Sequence, residues 1–231
     1  MKKESRAIRA LRKMEHFWSK EKSLTFLLAI LLVYIFLIIP LIHRNSSGEI
    51  IFFIFYFLLL SSGWPIFKQF QIPGIVWLLI IFPFAFLINE LYFLATWERV
   101  AADLFIAGYC VFLIVILLLR TFADGPITIY RIEGAIAVYL LIGFSFAMVF
   151  HTMTLLHGPS AFKGLDAGYH TYKEYMYFSL TTLTTTGYGD IVPAFPFARS
   201  LANLEALIGQ LYPAILIARL VSMELMSSRR E

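Results

Sequence analysis

Between positions 181 and 190 the chain reads Thr181-Thr182-Leu183-Thr184-Thr185-Thr186-Gly187-Tyr188-Gly189-Asp190. Its backbone carbonyl oxygens can replace part of a cation's water shell if enough of them face one way. An extended backbone of L-residues points successive carbonyls to opposite sides. Glycine at every second position lifts that restriction, because it leaves the usual dihedral region without a steric penalty. Gly187 and Gly189 have that spacing, and the Thr185 hydroxyl can extend the row at its inner end. Alone, Gly-Tyr-Gly-Asp reads as a polar turn. Here it follows a threonine-rich run, a short helix-like stretch precedes it, and long apolar segments flank it.

Other chemistry is scarce. No Ser/His/Asp set and no metal-ligand cluster stands out, so an enzyme is not expected. The single Cys110 excludes an intrachain disulfide and reads as a buried or lipid-facing thiol. His43, His151, His157 and His170 are expected near the outer face as solvated loop residues rather than proton sensors.

The core Thr185-Thr186-Gly187-Tyr188-Gly189 closely resembles the selectivity filter of tetrameric potassium channels, and the resemblance extends loosely over about residues 130–225. It implies a homotetramer in which each chain supplies a quarter of every carbonyl ring. Potassium would bind at Thr185, Thr186, Gly187 and Tyr188, with Gly189 completing the row, and no cofactor beyond the permeant ion is implied. Thr186 stands where the family usually has Val or Ile; it keeps the β-branch and the coordinating carbonyl. Tyr175, Tyr177 and Phe178 match aromatic positions that brace the filter in related channels. Asp190 would cap the outer end, within reach of Tyr177. Tyr188 would point away from the axis and need a hydroxyl partner, for which Thr182 is the candidate. Two-helix bacterial members often carry a glutamate in the pore helix; that position here is Thr181.

In the last apolar segment Gly209 occupies the family's hinge-glycine position, and Pro213 one turn later can kink the helix. Helical spacing places Gln210, Pro213 or Ala214, Ile217 and Val221 on one face. That face is either cavity-lining, with Ile217 and Val221 as a hydrophobic constriction, or an ordinary packing face. Glu205 lies in an apolar stretch, where an unpaired carboxyl is expensive. It should point away from the axis, towards Ser179, Thr181 and Thr182, and support the filter from behind; the alternative is outer-mouth water beside Arg199.

The elements that must position these residues are membrane spans. The chain of 231 residues is 60% hydrophobic and 15% charged, with long apolar runs. An all-α membrane protein with six transmembrane helices is expected. The spans are near 24–42, 50–66, 74–96, 104–119, 132–156 and 198–224, with a re-entrant pore helix at 173–185. Glu98, Arg99 and Asp103 are expected in an outer turn. The division expected is a basic segment 1–22, a four-helix voltage-sensor-like domain 23–120, an interfacial linker 121–131 marked by Gly125-Pro126, a pore domain 132–226 and a short cytoplasmic tail 227–231. Eight of the 19 basic residues fall in the first 22 positions, which suits an inner membrane surface with anionic lipid and not a nucleic-acid arm.

Charge placement orients the spans. With a cytoplasmic N-terminus, the outer segments hold only Arg44, Arg99, Lys163, Lys173 and Arg199, and the remaining basic residues are inner. Both termini then lie inside, in a plasma membrane, and the loop containing 185–189 faces out. Steep voltage sensing is not expected, because 104–119 holds no basic residue before Arg120. A weakly selective cation channel is one alternative, against which Tyr188 argues. A transporter or membrane scaffold is another, although the paired interrupted helices of transporters are missing.

Overall fold

A segment crossing hydrocarbon must satisfy its own amides, which for a single chain stretch means a helix. A computed structural model of the chain describes residues 22–41, 54–55, 57–59, 96–122, 128–165 and 172–228. The basic arm before Lys22, most of the span expected at 50–66, nearly all of that at 74–96, the Gly125-Pro126 break, His43, His170 and the tail after Ser228 lie outside them. Among the described residues four helices are long and apolar enough to cross a membrane: Leu24–Leu41, Thr96–Leu119, Ile129–His157 and Pro196–Ser222. The protein is a helical membrane protein. The chain divides into two units, Met1–Ile88 and Asn89–Glu231.

In the first unit, α1 (Lys22–Val33) continues through a π-helical segment, Tyr34–Ile38, into a last turn, Ile39–Leu41. The Ile39 amide donates to the Tyr34 carbonyl, five residues back. Pro40 has no amide to offer Phe36, so the regular ladder is already broken there. Tyr34 is buried and stacks on Phe55 at 3.5 Å.

The second unit contains α2 (Thr96–Thr121), α3 (Ile129–His157), a 3-10 turn (Pro159–Ala161), β1 (Phe162–Lys163), α4 (Tyr172–Leu183), β2 (Val192–Pro193) and α5 (Pro196–Ser228). One expectation is corrected here. Glu98, Arg99 and Asp103 form no outer turn; they belong to the first turns of α2. Helix α2 packs along α3, and both lie in the second unit. Ala102, Asp103, Ile106, Tyr109, Cys110, Leu113 and Leu117 are its buried stripe, recurring at three- and four-residue intervals. The free thiol of Cys110 is buried in that stripe.

Helix α3 is the central post, with residues from Gly134 to Thr154 buried on nearly all sides. Phe150 makes edge-to-face contacts with Phe162 and Phe178, and Phe162 does the same with Tyr175, so one aromatic cluster joins α3, β1 and α4. Strands β1 and β2 pair antiparallel, Phe162 with Pro193 and Lys163 with Val192. That ribbon ties the connection before α4 to the connection between α4 and α5.

Candidate ion site

The stretch 184–190 leaves the C-terminus of α4, and all of it is exposed on the single chain. Its backbone alternates: Thr185, Gly187 and Gly189 have φ of 58, 54 and 79°. Among the described residues Thr185 is the one non-glycine with positive φ. Glycine was expected at two of these positions, but the third was not foreseen. A β-branched residue disfavours this region, at a cost on the order of 1–3 kcal/mol. The strain is held by hydrogen bonds. The Thr185 amide donates to the Thr182 carbonyl and the Gly187 amide to the Thr181 carbonyl. The Thr184 and Thr186 hydroxyls lie 2.9 Å apart, and Thr184 also donates to the Leu180 carbonyl.

Helix α4 therefore supports the stretch mainly through backbone carbonyls. The Thr181 hydroxyl turns back to its own helix, donating to the Phe178 carbonyl at 2.9 Å. Phe178 and Tyr175 are buried in the aromatic cluster and bear on the stretch only through the helix they brace. Tyr177 reaches it directly: its hydroxyl donates to Asp190 at 2.8 Å. That bond holds the Asp190 carboxyl below the ordinary carboxylate range. Tyr188 forms no bond to Thr182; its ring lies parallel to that of Tyr177 and is 71% exposed. Among the described residues of the one chain no hydroxyl partner reaches it.

The outer end of the stretch is clamped by the ribbon. Gly164 has φ of 86°, and a Cβ there would fall 1.7 Å from the Asp190 carbonyl oxygen. Arg199 donates through Nε to the Pro193 carbonyl at 2.9 Å, fixing the return into α5.

Behind α4, Glu205 is fully buried, which removes the alternative of outer-mouth water beside Arg199. Of its three expected partners it meets one. Ser179 Oγ lies 2.5 Å from Glu205 Oε1 and 2.6 Å from the Gly143 carbonyl oxygen. Glu205 Oε2 has no partner among the described residues. One serine proton cannot serve two acceptors, so the chain Gly143–Ser179–Glu205 works best when the side chain at 205 also offers a hydrogen.

Gly209 permits close packing of α5 on α4. A Cβ on it would fall 1.8 Å from the Leu183 carbonyl oxygen, and α5 runs unbroken through Gly209 and Pro213. Sequence reasoning missed Tyr139, whose hydroxyl donates to that same carbonyl at 3.0 Å. The last carbonyls of a helix lack intrahelical donors, and Tyr139 supplies one. It also missed Tyr212, which stacks on Tyr139 and donates to the Ala135 carbonyl at 2.8 Å. Gln210, Ala214, Ile217 and Val221 are exposed along α5, and Pro213 is half-buried.

Two apolar helices thus flank a short helix and a strand whose torsions alternate in hand. Residues 134–225 match a family model described as ion channel. This segment, about two fifths of the chain, is similar to that family. No curated protein and no solved structure matches the chain. The matched segment takes in α4, the stretch 184–190, Glu205, Gly209 and the α5 residues through Val221, while α2 lies before it.

Proposed function

We propose that the protein is a homotetrameric, potassium-selective channel that conducts passively through the carbonyls of Thr185, Thr186, Gly187, Tyr188 and Gly189. The observation that carries this reading is the left-handed backbone at Thr185, Gly187 and Gly189. Alternate residues of opposite hand are what a strand needs to turn its carbonyls to one side, and potassium filters are built from such rows. One strand cannot enclose an ion, so four chains complete the ring about a cyclic axis. The exposure of 184–190, of Tyr188 and of the apolar residues of α5 supports an unfinished surface of that kind. Gln210, Pro213, Ala214, Ile217 and Val221 then line the cavity, with Ile217 and Val221 as its constriction. The chain sits multi-pass in a plasma membrane with both termini cytoplasmic and the basic N-terminal segment on anionic lipid. With no basic residue at 104–119, opening depends little on voltage.

Purified protein in liposomes tests this by paired potassium and sodium flux. Selective potassium flux from a tetramer is expected, and Gly189→Ala should abolish it. Equal permeability would make the protein a weakly selective cation channel. Absence of flux from well-formed oligomers would leave the transporter or scaffold reading.

A further inference from the structure

A buried carboxylate outside the ion-channel match holds the pore region. Asp103 on α2 is fully buried at a depth where a lone charge is costly. Two side chains bond it and a third lies close. His151 Nδ1 on α3 lies 2.6 Å from Oδ2; the Thr152 hydroxyl, which donates to the Met148 carbonyl at 3.0 Å, is 3.4 Å from the same oxygen. The Tyr172 hydroxyl donates to Oδ1 at 3.2 Å. Tyr172 is the first residue of α4, the helix that ends at the filter stretch. The His151 ring also packs against Tyr172 at 4.4 Å and Tyr175 at 5.2 Å. This corrects the expectation that His151 is a solvated loop residue: it is buried and paired.

We infer that Asp103 is a positioning residue for conduction: through Tyr172 it fixes the N-terminus of α4 and so the placement of the strand at 185–189. Helix α4 is short and rigid, held at its two ends by different elements. At the C-terminal end Tyr139 and Gly209 bear on the Leu183 carbonyl. At the N-terminal end Asp103 holds Tyr172. Carbonyl rings discriminate ions by the number and placement of their oxygens, so a pivot of α4 spreads into selectivity before it costs assembly. Helix α2 is on this account a structural part of the pore rather than the last helix of a separate sensor.

The inference rests on the proposed potassium channel, and the test separates the two. Wild type, Tyr172→Phe and Asp103→Asn are reconstituted, and the potassium-to-sodium permeability ratio is read beside the melting of the assembled oligomer. The Tyr172→Phe substitution keeps the ring against His151 and removes only the hydroxyl. A hydrogen bond to a charged group is worth about tenfold in an equilibrium; a drop of about threefold or more in the ratio, with the oligomer intact, is expected. A selective wild type with Tyr172→Phe changed by less than that overturns the inference and leaves the channel reading standing. Where Tyr172→Phe fails to assemble, Asp103→Asn is judged by the same threshold, and failure of both to assemble overturns the positioning role in favour of a purely structural one. A wild type without selective flux sinks both.

Discussion

Helices α3 and α5 are alike in length and apolar character, yet they stand differently in the single chain. α3 is surrounded: Leu141, Phe144, Met148 and Phe150 are fully or almost fully buried. Among the described residues α5 meets its own chain on one side, through Ala198, Ala202, Glu205, Gly209 and Tyr212, while Leu204, Leu207, Leu211 and Ile215 are exposed. Its contact side carries small residues, one carboxyl and one tyrosine, its exposed sides carry leucine and isoleucine. Apolar character therefore decides that both helices leave water but not what each one touches. In lipid, close contact comes from small residues and polar groups, because hydrocarbon tails are as apolar as leucine.

The largest effect should come from the contact side. Gly209→Ala places a methyl against the Leu183 backbone, which cannot rotate away, and should cost about 3 kcal/mol or more. The measurement is the yield and melting of the folded oligomer. A normal melting curve would show that α5 can shift off α4 freely.

Leu141→Ala on α3 and Leu207→Ala on α5 separate the two helices. Leu141 is fully buried and Leu207 is 52% exposed. Leu141→Ala should destabilise the chain itself by roughly 2 kcal/mol, at the low end for core leucines because lipid replaces water as the reference. Leu207→Ala should leave the chain's own fold alone and shift oligomer dissociation to lower detergent. Should Leu207→Ala dissociate like wild type, that side of α5 faces lipid in the assembly.

Glu205 gives a finer distinction. Glu205→Gln keeps a group that accepts and donates beside Ser179, so stability and selectivity should stay near wild type. Glu205→Leu strands the Ser179 hydroxyl on one partner and should lower the melting temperature by the equivalent of about 1–3 kcal/mol. Equal behaviour of Leu and wild type would remove any role for the carboxyl.

The smallest effect concerns acid. Asp190 is exposed and its carboxyl is held below the ordinary range by Tyr177. Such a group contributes stability above its unfolded value of about 4 and loses it as pH falls through the lower folded value. Melting should therefore be insensitive to this contact between neutrality and about pH 5, and should fall only in stronger acid. Tyr177→Phe should lessen that acid-dependent loss. An unchanged acid profile in Tyr177→Phe would show that the contact is idle.

What was legible in the sequence follows the range of the interactions. Gly187 and Gly189 announced their torsions because glycine chemistry is local, and α3 and α5 were found within a few residues because hydropathy is local too. Thr185 was hidden: its β-branch argues against the conformation it adopts, which is fixed by bonds to Thr182 and Thr181. Gly209 was found for its hinge position alone, since a helical glycine can permit bending or close approach, and only the position of Leu183 reveals the close approach. Asp103, His151 and Tyr172 escaped because nothing local relates residues 48 and 69 positions apart. Read one at a time, an aspartate and a histidine beside apolar runs look like the ends of spans.

The stretch 184–190, exposed from end to end and carrying a left-handed threonine, also bears on how the protein is made. A copy newly released into the bilayer holds a hydrophilic edge that hydrocarbon cannot satisfy, and each unsatisfied backbone group there costs several kcal/mol. If the proposed tetramer is what covers that edge, solitary copies are the species most exposed to proteolysis. Under the proposed fourfold assembly, the amount of mature protein in a cell should rise more steeply than its rate of synthesis.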